Sequence, residues 1–251
     1  MMKESSLMQL LPYDQRIQRQ SDKRTKFLSF LSNEIFTSAE VAGIVMNISS
    51  RQAVYKTLAC FESEGLIRRD AIILSDSTKR TLWGITSNGI GWAFDPAKGQ
   101  LPGNKTFEPS RVSGAILQHT LDVQKIRLAA ELYGWTEWRS GDRLEKWGKN
   151  VKRPDAIAKD CNGCLTAIEV ERTFKSIKRY QAILSEYLQL IKKGVVSRVI
   201  WVSPDNAFSE RLKTIITSIQ EINVAGQKVK IDHTRHHQNL YFCSYAQFPP
   251  Q

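Results

Sequence analysis

The chain has 251 residues, 41% of them apolar, and carries 36 Lys/Arg against 25 Asp/Glu, for a net charge of +11 and a pI near 9.6. This length and apolar share support one large or two small folded domains and exclude global disorder, and the charge points to a polyanionic partner, nucleic acid before membrane. No apolar run reaches the length of a membrane span and the first residues lack the apolar core of a signal peptide, so the expectation is a cytoplasmic protein without membrane insertion.

Residues 1–20 are polar with scattered leucines and read as frayed. A first helix is expected over Asp22–Leu31. "TSAEVAGIV" gives a second, capped by Ser38, with Val41, Ile44 and Val45 at helical spacing. A third starts at Ser49 or Ser50, lines one face with Val54, Leu58 and Phe61, and stops at Gly65. "LIRRDAIILSDSTKRTLWGIT" alternates as a β-hairpin with a polar tip, and a short helix follows. Three helices and a basic hairpin are the order of a winged helix-turn-helix, expected over residues 1–94. The outward face of its third helix then carries Arg51, Gln52, Tyr55 and Lys56. Arginine and glutamine are the types that pair with guanine and adenine edges. The wing offers Arg68, Arg69, Lys79 and Arg80 to phosphates. The same face also suits a winged helix that binds protein.

Residues 95–114, rich in Pro, Gly and Lys, read as a linker to a second domain over 115–251. Residues 111–251 hold 22 Lys/Arg against 14 Asp/Glu, so the basic surplus is concentrated there. That domain opens with a helix from Ala115 to Trp135, and "WTEWRSG" gives a first strand. A basic loop spans Arg143–Lys152. "RPDAIAKD" and "CLTAIEVER" give two strands joined by the turn-forming pair Asn162-Gly163. "SIKRYQAILSEYLQLIKKG" is a helix with Ile177, Tyr180, Leu184, Tyr187 and Ile191 on one stripe. "SRVIWVSP" is a buried strand and "NAFSERLKTIITSIQEI" a last helix. "KVKIDH" and "NLYFCSYAQF" add edge strands. The element order is αβββαβ, and the fold class α+β. Cys60, Cys161, Cys164 and Cys243 read as free thiols. Cys161 and Cys164 form a CxxC spacing across the turn, but no second pair completes a zinc site.

Acids stand on this apolar framework. Glu169 and Glu171 are two apart on a strand and so share a face, and the hairpin brings Asp155 of the partner strand beside them. Clustered carboxylates repel and are costly to desolvate, and a hard ion such as Mg²⁺ or Mn²⁺ relieves both costs. The expected metal ligands are therefore Asp155, Glu169 and Glu171, with cations alongside. The competing reading leaves these acids on a solvated edge, paired with Arg153 or Arg172. Lys175 and Arg179 are four apart, a spacing that puts both on one helix face, suited to the charge on a reacting phosphate. Tyr180 lies on the apolar stripe and is equally a packed tyrosine or a nucleophile. His233, His236 and His237 lack the alternation of a metal motif and read as a surface loop. His119 reads as a hydrogen-bonded helix residue.

An acid at a Pro-Asp step, an E-x-E on the next strand and this element order resemble the PD-(D/E)xK superfamily of restriction-type nucleases. Glu171 stands where that pattern has a lysine. The chain as a whole resembles the MobC-type relaxases of mobilisable plasmids, most specifically at "RPDAI" and "AIEVERTFKSIKRY". The resemblance implies a winged helix followed by a restriction-endonuclease-like catalytic domain. It implies metal-site roles for Asp155, Glu169 and Glu171, and active-site roles for Lys175, Arg179 and Tyr180. The implied activity is a metal-dependent, strand-specific nick at a plasmid transfer origin, with accessory mobilisation and coupling proteins as partners. Two alternatives stay open: a site-specific double-strand endonuclease, and a non-cleaving DNA-binding replication protein.

Overall fold

The computed structural model describes residues 12–74, 76–94, 105–144 and 152–250. Part of the expected linker (95–104) and most of the expected basic loop (145–151) lie outside the described residues. The chain divides into two compact units, Met1–Leu121 and Asp122–Gln251.

The first unit is a winged helix. Helices α1 (Tyr13–Glu34), α2 (Ala39–Met46) and α3 (Arg51–Ser63) precede a wing of β2 (Ile67–Ile73) and β3 (Lys79–Ile85). A two-residue β1 (Phe36–Thr37) completes a sheet ordered β1-β3-β2, and α4 (Ser87–Ala93) follows. The boundaries follow from local chemistry. Ser38 Oγ accepts from the Val41 amide at 3.3 Å and Ser50 Oγ from the Ala53 amide at 3.4 Å, filling donors that the first helical turn leaves over. Asn47 ends α2 in the left-handed region. The core gathers Phe27, Leu31, Val41, Leu58 and Phe61. The reading of residues 13–20 as frayed is corrected: α1 begins at Tyr13, and its exposed first half continues the helix that Phe27, Leu28 and Leu31 anchor.

The expected linker is corrected in its described part. Phe107 is buried against the wing with Ile72, Leu82, Leu117 and Leu121. Its ring lies where Gly84 has no side chain; a Cβ at Gly84 would meet the Phe107 Cγ at 2.0 Å. These residues belong to the first compact unit, which runs to Leu121.

The boundary falls within α5 (Gly114–Leu132), from which the order runs αβββαβ: α5, β4 (Thr136–Ser140), β5 (Ala156–Lys159), β6 (Leu165–Val170), α6 (Ile177–Lys192) and β7 (Arg198–Ser203). Helix α7 (Asn206–Thr217), a hairpin of β8 (Glu221–Val224) and β9 (Gln227–Lys230), helix α8 (His233–His236) and β10 (Leu240–Ser244) complete it. The main sheet is ordered β10-β7-β6-β5-β4, with β6, β7 and β10 parallel and β4, β5 and β6 antiparallel. Side chains alternate between two cores. Ile157, Ala167, Val199 and Trp201 pack with α6 and α7, while Ala156, Ile168, Ile200 and Val202 pack on the other face with Ile126 and Ala130 of α5.

Four local expectations differ from the structure. The β5–β6 connection is a five-residue loop between Lys159 and Leu165, not a two-residue Asn-Gly turn. The buried Asp160 accepts from the amides of Asn162 and Cys164 and so organises it, while Gly163 supplies the positive φ of 78°. Ile177, expected on the buried stripe of α6, is 61% exposed because it is the first helical residue; Tyr180, Ile183, Leu184 and Tyr187 form the buried face. β9 pairs with β8 in a separate sheet rather than edging the main one. His233–His236 forms a short helix rather than a loop.

Candidate active site and DNA interface

The alternation of the sheet places Asp155, Glu169 and Glu171 on the face covered by α6. Ala156 pairs with Ile168, which puts Asp155 opposite Glu169 across the antiparallel ladder. Asp155 Oδ2 accepts from the Val170 amide at 2.7 Å, fixing the Pro-Asp step against β6. Glu169 is 4% exposed, between Trp201 on the neighbouring strand and Tyr187 of α6. The Tyr187 hydroxyl donates to it, and Lys152 Nζ lies 2.6 and 2.8 Å from its two oxygens. Burial and the facing Asp155 charge raise the Glu169 carboxyl to about 7, against the opposing pull of Lys152 and Tyr187. The Tyr187 phenol is held well above its usual range, first by burial and then by Glu169.

Glu171 extends the same face. Its amide donates to the Val202 carbonyl at 2.9 Å, so the β6–β7 pairing continues past the end of β6. Its carboxylate, on a residue 4% exposed, is held at both oxygens by Lys175 Nζ. Among the described residues, the two glutamates are buried and paired with neither Arg153 nor Arg172: Arg172 binds the buried Asp122 of α5, which also accepts from the Tyr245 hydroxyl at 3.1 Å. Lysines meet the two glutamates instead. Among the described residues no three His, Cys, Asp or Glu side chains form a ready metal cage. Asp155 and Glu169 are brought together, and Glu171 has its own cation.

The remaining expected residues separate. Lys175 precedes the helix, whose N-cap is Ser176, so it does not share a helix face with the exposed Arg179. Tyr180 is 1% exposed and its ring packs in the core. Its hydroxyl accepts from the Lys175 amide at 3.1 Å, and burial first pushes the phenol up to about 12. Lys152 and Tyr187 were missed by sequence reasoning. Tyr187 had only a helical stripe to place it, and Lys152 reaches Glu169 across 17 positions from a segment with no periodic signal. Ser203 is a further buried group on this face: as the residue after Val202, the register sets it beside Glu171, and its hydroxyl has no hydrogen-bond partner among the described residues.

In the winged helix, a cleft of about 840 Å³ runs between α2, the start of α3 and the wing, lined by Ser38, Asn47, Arg51, Tyr55, Lys79 and Arg80 among others. The Arg51 guanidinium lies 5.6 Å from the Tyr55 ring centroid. Gln52 and Lys56 are exposed on α3 outside the cleft lining. Arg68 and Arg69 are engaged by acids, Arg68 with Asp70 at 3.2 Å and Arg69 with Glu62 at 3.9 Å. Of the eight residues expected to meet DNA, the structure therefore gathers four around one cleft.

The chain thus joins a winged helix to an αβββαβ unit with buried, lysine-held acids. Residues 29–202 match the model of the replication-relaxation family, and the chain belongs to that family. No curated protein and no solved structure matches it. The family's description puts the chain among proteins of DNA replication and relaxation. Among the described residues, no helix is long and apolar enough to cross a membrane.

Proposed function

We propose that the chain is a metal-dependent DNA relaxase of the MobC type, which recognises a plasmid transfer origin through its winged helix and nicks one strand in its PD-(D/E)xK-like unit. The observation that supports this most is the facing of Asp155 and Glu169 on adjacent strands, in a buried setting that holds Glu169 near 7, with an ammonium on its oxygens. A buried acid shifted by desolvation and a specific charge partner is a candidate functional group.

The donor set fits a hard divalent ion in kind. Asp155, Glu169 and Glu171 are oxygen donors, and the buried, unpartnered Ser203 hydroxyl adds a fourth oxygen on the same face. Asp155, Glu169 and Glu171 would hold Mg²⁺ or Mn²⁺ there. Such an ion, when bound, polarises a phosphodiester and lowers the pKa of water. The chain's own part is cationic. Lys152 and Lys175 neutralise the acids in the free protein and, on release from them, would turn to the phosphate oxygens, where negative charge grows in the transition state. Lys152 then takes the place left by Glu171 in the superfamily pattern. Arg179, exposed in the first turn of α6, would steer the flanking phosphate. Tyr180 holds the Lys175 segment through its hydroxyl. Its burial and raised phenol support that role over nucleophilic attack and favour water as the attacking group.

The test uses supercoiled plasmid carrying the cognate origin. With Mg²⁺ or Mn²⁺ the protein should convert it to open circles. Asp155→Ala and Glu169→Ala should lower the rate at least about 100-fold, and Glu171→Ala and Lys175→Ala should lower it as well. Tyr180→Phe should keep nicking, at a rate lowered by loss of the hydroxyl that holds the Lys175 segment, whereas loss of all nicking would make Tyr180 the nucleophile. Linear DNA would identify a double-strand endonuclease instead, and an inert wild type with tight origin binding would identify a regulatory protein.

A further inference from the structure

The segment between β6 and α6 joins the acids to an exposed surface. Glu171 at its start and Tyr180 in the first turn of α6 are buried, whereas Phe174 is 36% exposed and Ile177 61% exposed between them. An exposed phenylalanine forfeits much of its burial energy, so its arrangement asks for a reason. The Phe174 ring lies parallel to that of Phe208 on α7, with centroids 4.0 Å apart and 6° between planes. The Arg211 guanidinium carbon lies 4.6 Å from the same Phe174 centroid. The stacked rings of Phe208 and Phe174 and the exposed Arg211 guanidinium thus form one aromatic–cation cluster. Among the described residues, no carboxylate forms an ion pair with Arg211, so the ring, not an acid, holds it in place.

We infer that this cluster is a platform for one unpaired nucleobase of the strand held at the acid site, an inference that rests on the reading of that site as one that acts on DNA. Flat guanidinium and aromatic planes are the surfaces on which splayed-out bases stack, and any base offers them a π-face. The surroundings complement a nucleic acid backbone: Lys178 and Arg179 are exposed in the first turn of α6, and Lys175 follows Phe174 directly. A base within a duplex has both faces covered by its neighbours, so the platform selects a nucleotide that has left the helix. The site then takes a locally opened strand.

The experiment uses the full chain in EDTA, so that no cleavage enters the readout. The probe is a single-stranded oligonucleotide of mixed sequence with 2-aminopurine substituted at successive positions. Wild type should quench the fluorescence at one position in the bound register. Phe174→Ala and Arg211→Ala should abolish that quench and weaken binding about 10-fold; Phe174→Trp should retain both, and a fully paired duplex of the same sequence should show no quench. Arg211 is exposed, so its variant carries the test if Phe174→Ala fails to fold. Wild type that shows no position-specific quench, or Arg211→Ala that quenches as wild type does, overturns the inference. A chain that quenches but never nicks refutes the proposed activity and leaves the platform standing; one that nicks without quenching does the reverse.

Discussion

Arg51, Lys79 and Arg80 of the winged helix border an open cleft, whereas Lys152 and Lys175 of the second unit lie on glutamates that are each 4% exposed. Both sets suit phosphate, but their energetics differ. Cations at a cleft surface keep most of their hydration, contribute little to folding and bind by releasing counterions from DNA. An ammonium beside a buried carboxylate is part of the folded state, because its removal leaves an acid without compensation in a poor solvent for charge. The first arrangement can meet a polyanion at once. The second must be rearranged before its lysines can act, which couples any chemistry to the arrival of something that replaces them on the acids.

Removing a lysine from each set sharpens this contrast. Lys152→Ala should destabilise the protein by about 3 kcal/mol at neutral pH or above, in line with breaking a buried pair, and Glu169→Gln in the same chain should recover most of it. Thermal or urea unfolding measures both, and a loss under about 0.5 kcal/mol, the scale of a surface pair, would erase the distinction. Lys79→Ala and Arg80→Ala should leave the melting curve unchanged yet lower duplex affinity, each reducing the salt slope of log K by about 0.9. Arg68→Ala should reduce it less, since Asp70 already holds that guanidinium. Arg51→Ala should instead change base preference, by about 1–3 kcal/mol at one position; equal weakening on all sequences would make Arg51 another phosphate contact.

The smallest effect concerns thiols, where burial again decides. Cys161 and Cys164 are exposed on the β5–β6 loop, and Cys243 is buried in β10 with its thiol pushed up to about 12 by desolvation. At pH 8, iodoacetamide should label Cys161 and Cys164 in the native protein with no loss of folding, and Cys243 only after denaturation. Rapid native labelling of Cys243 would mean that β10 opens readily from the sheet.

How much of this could be read beforehand depends on range. The winged helix and the αβββαβ order follow from local periodicity and from caps such as Ser38 and Ser50, and the shared face of Glu169 and Glu171 follows from the two-residue repeat of a strand. Groups that arrive from elsewhere left no such trace. Lys152 looks like one more cation in a basic loop, and Arg172 like a partner for the nearest acids, until the sheet places Asp122 closer. The Asn162-Gly163 pair suggested a two-residue turn, but Asp160, whose buried carboxylate also binds Arg198, made a longer loop cheaper by satisfying its amides. The cluster of Phe208, Phe174 and Arg211 joins a loop to a helix more than thirty positions on, beyond any periodic signal.

The ring of Phe107 filling the space above Gly84 bears on how this winged helix can be inherited. A recombination event that transplanted the module up to its last helix, α4, would carry the glycine and leave behind the aromatic residue that seals it. The recipient would gain a winged helix with a ring-sized hole in its wing. Gly84 and Phe107 would in this sense have to move together, and a transplant that kept the wing sealed would run on to Leu121.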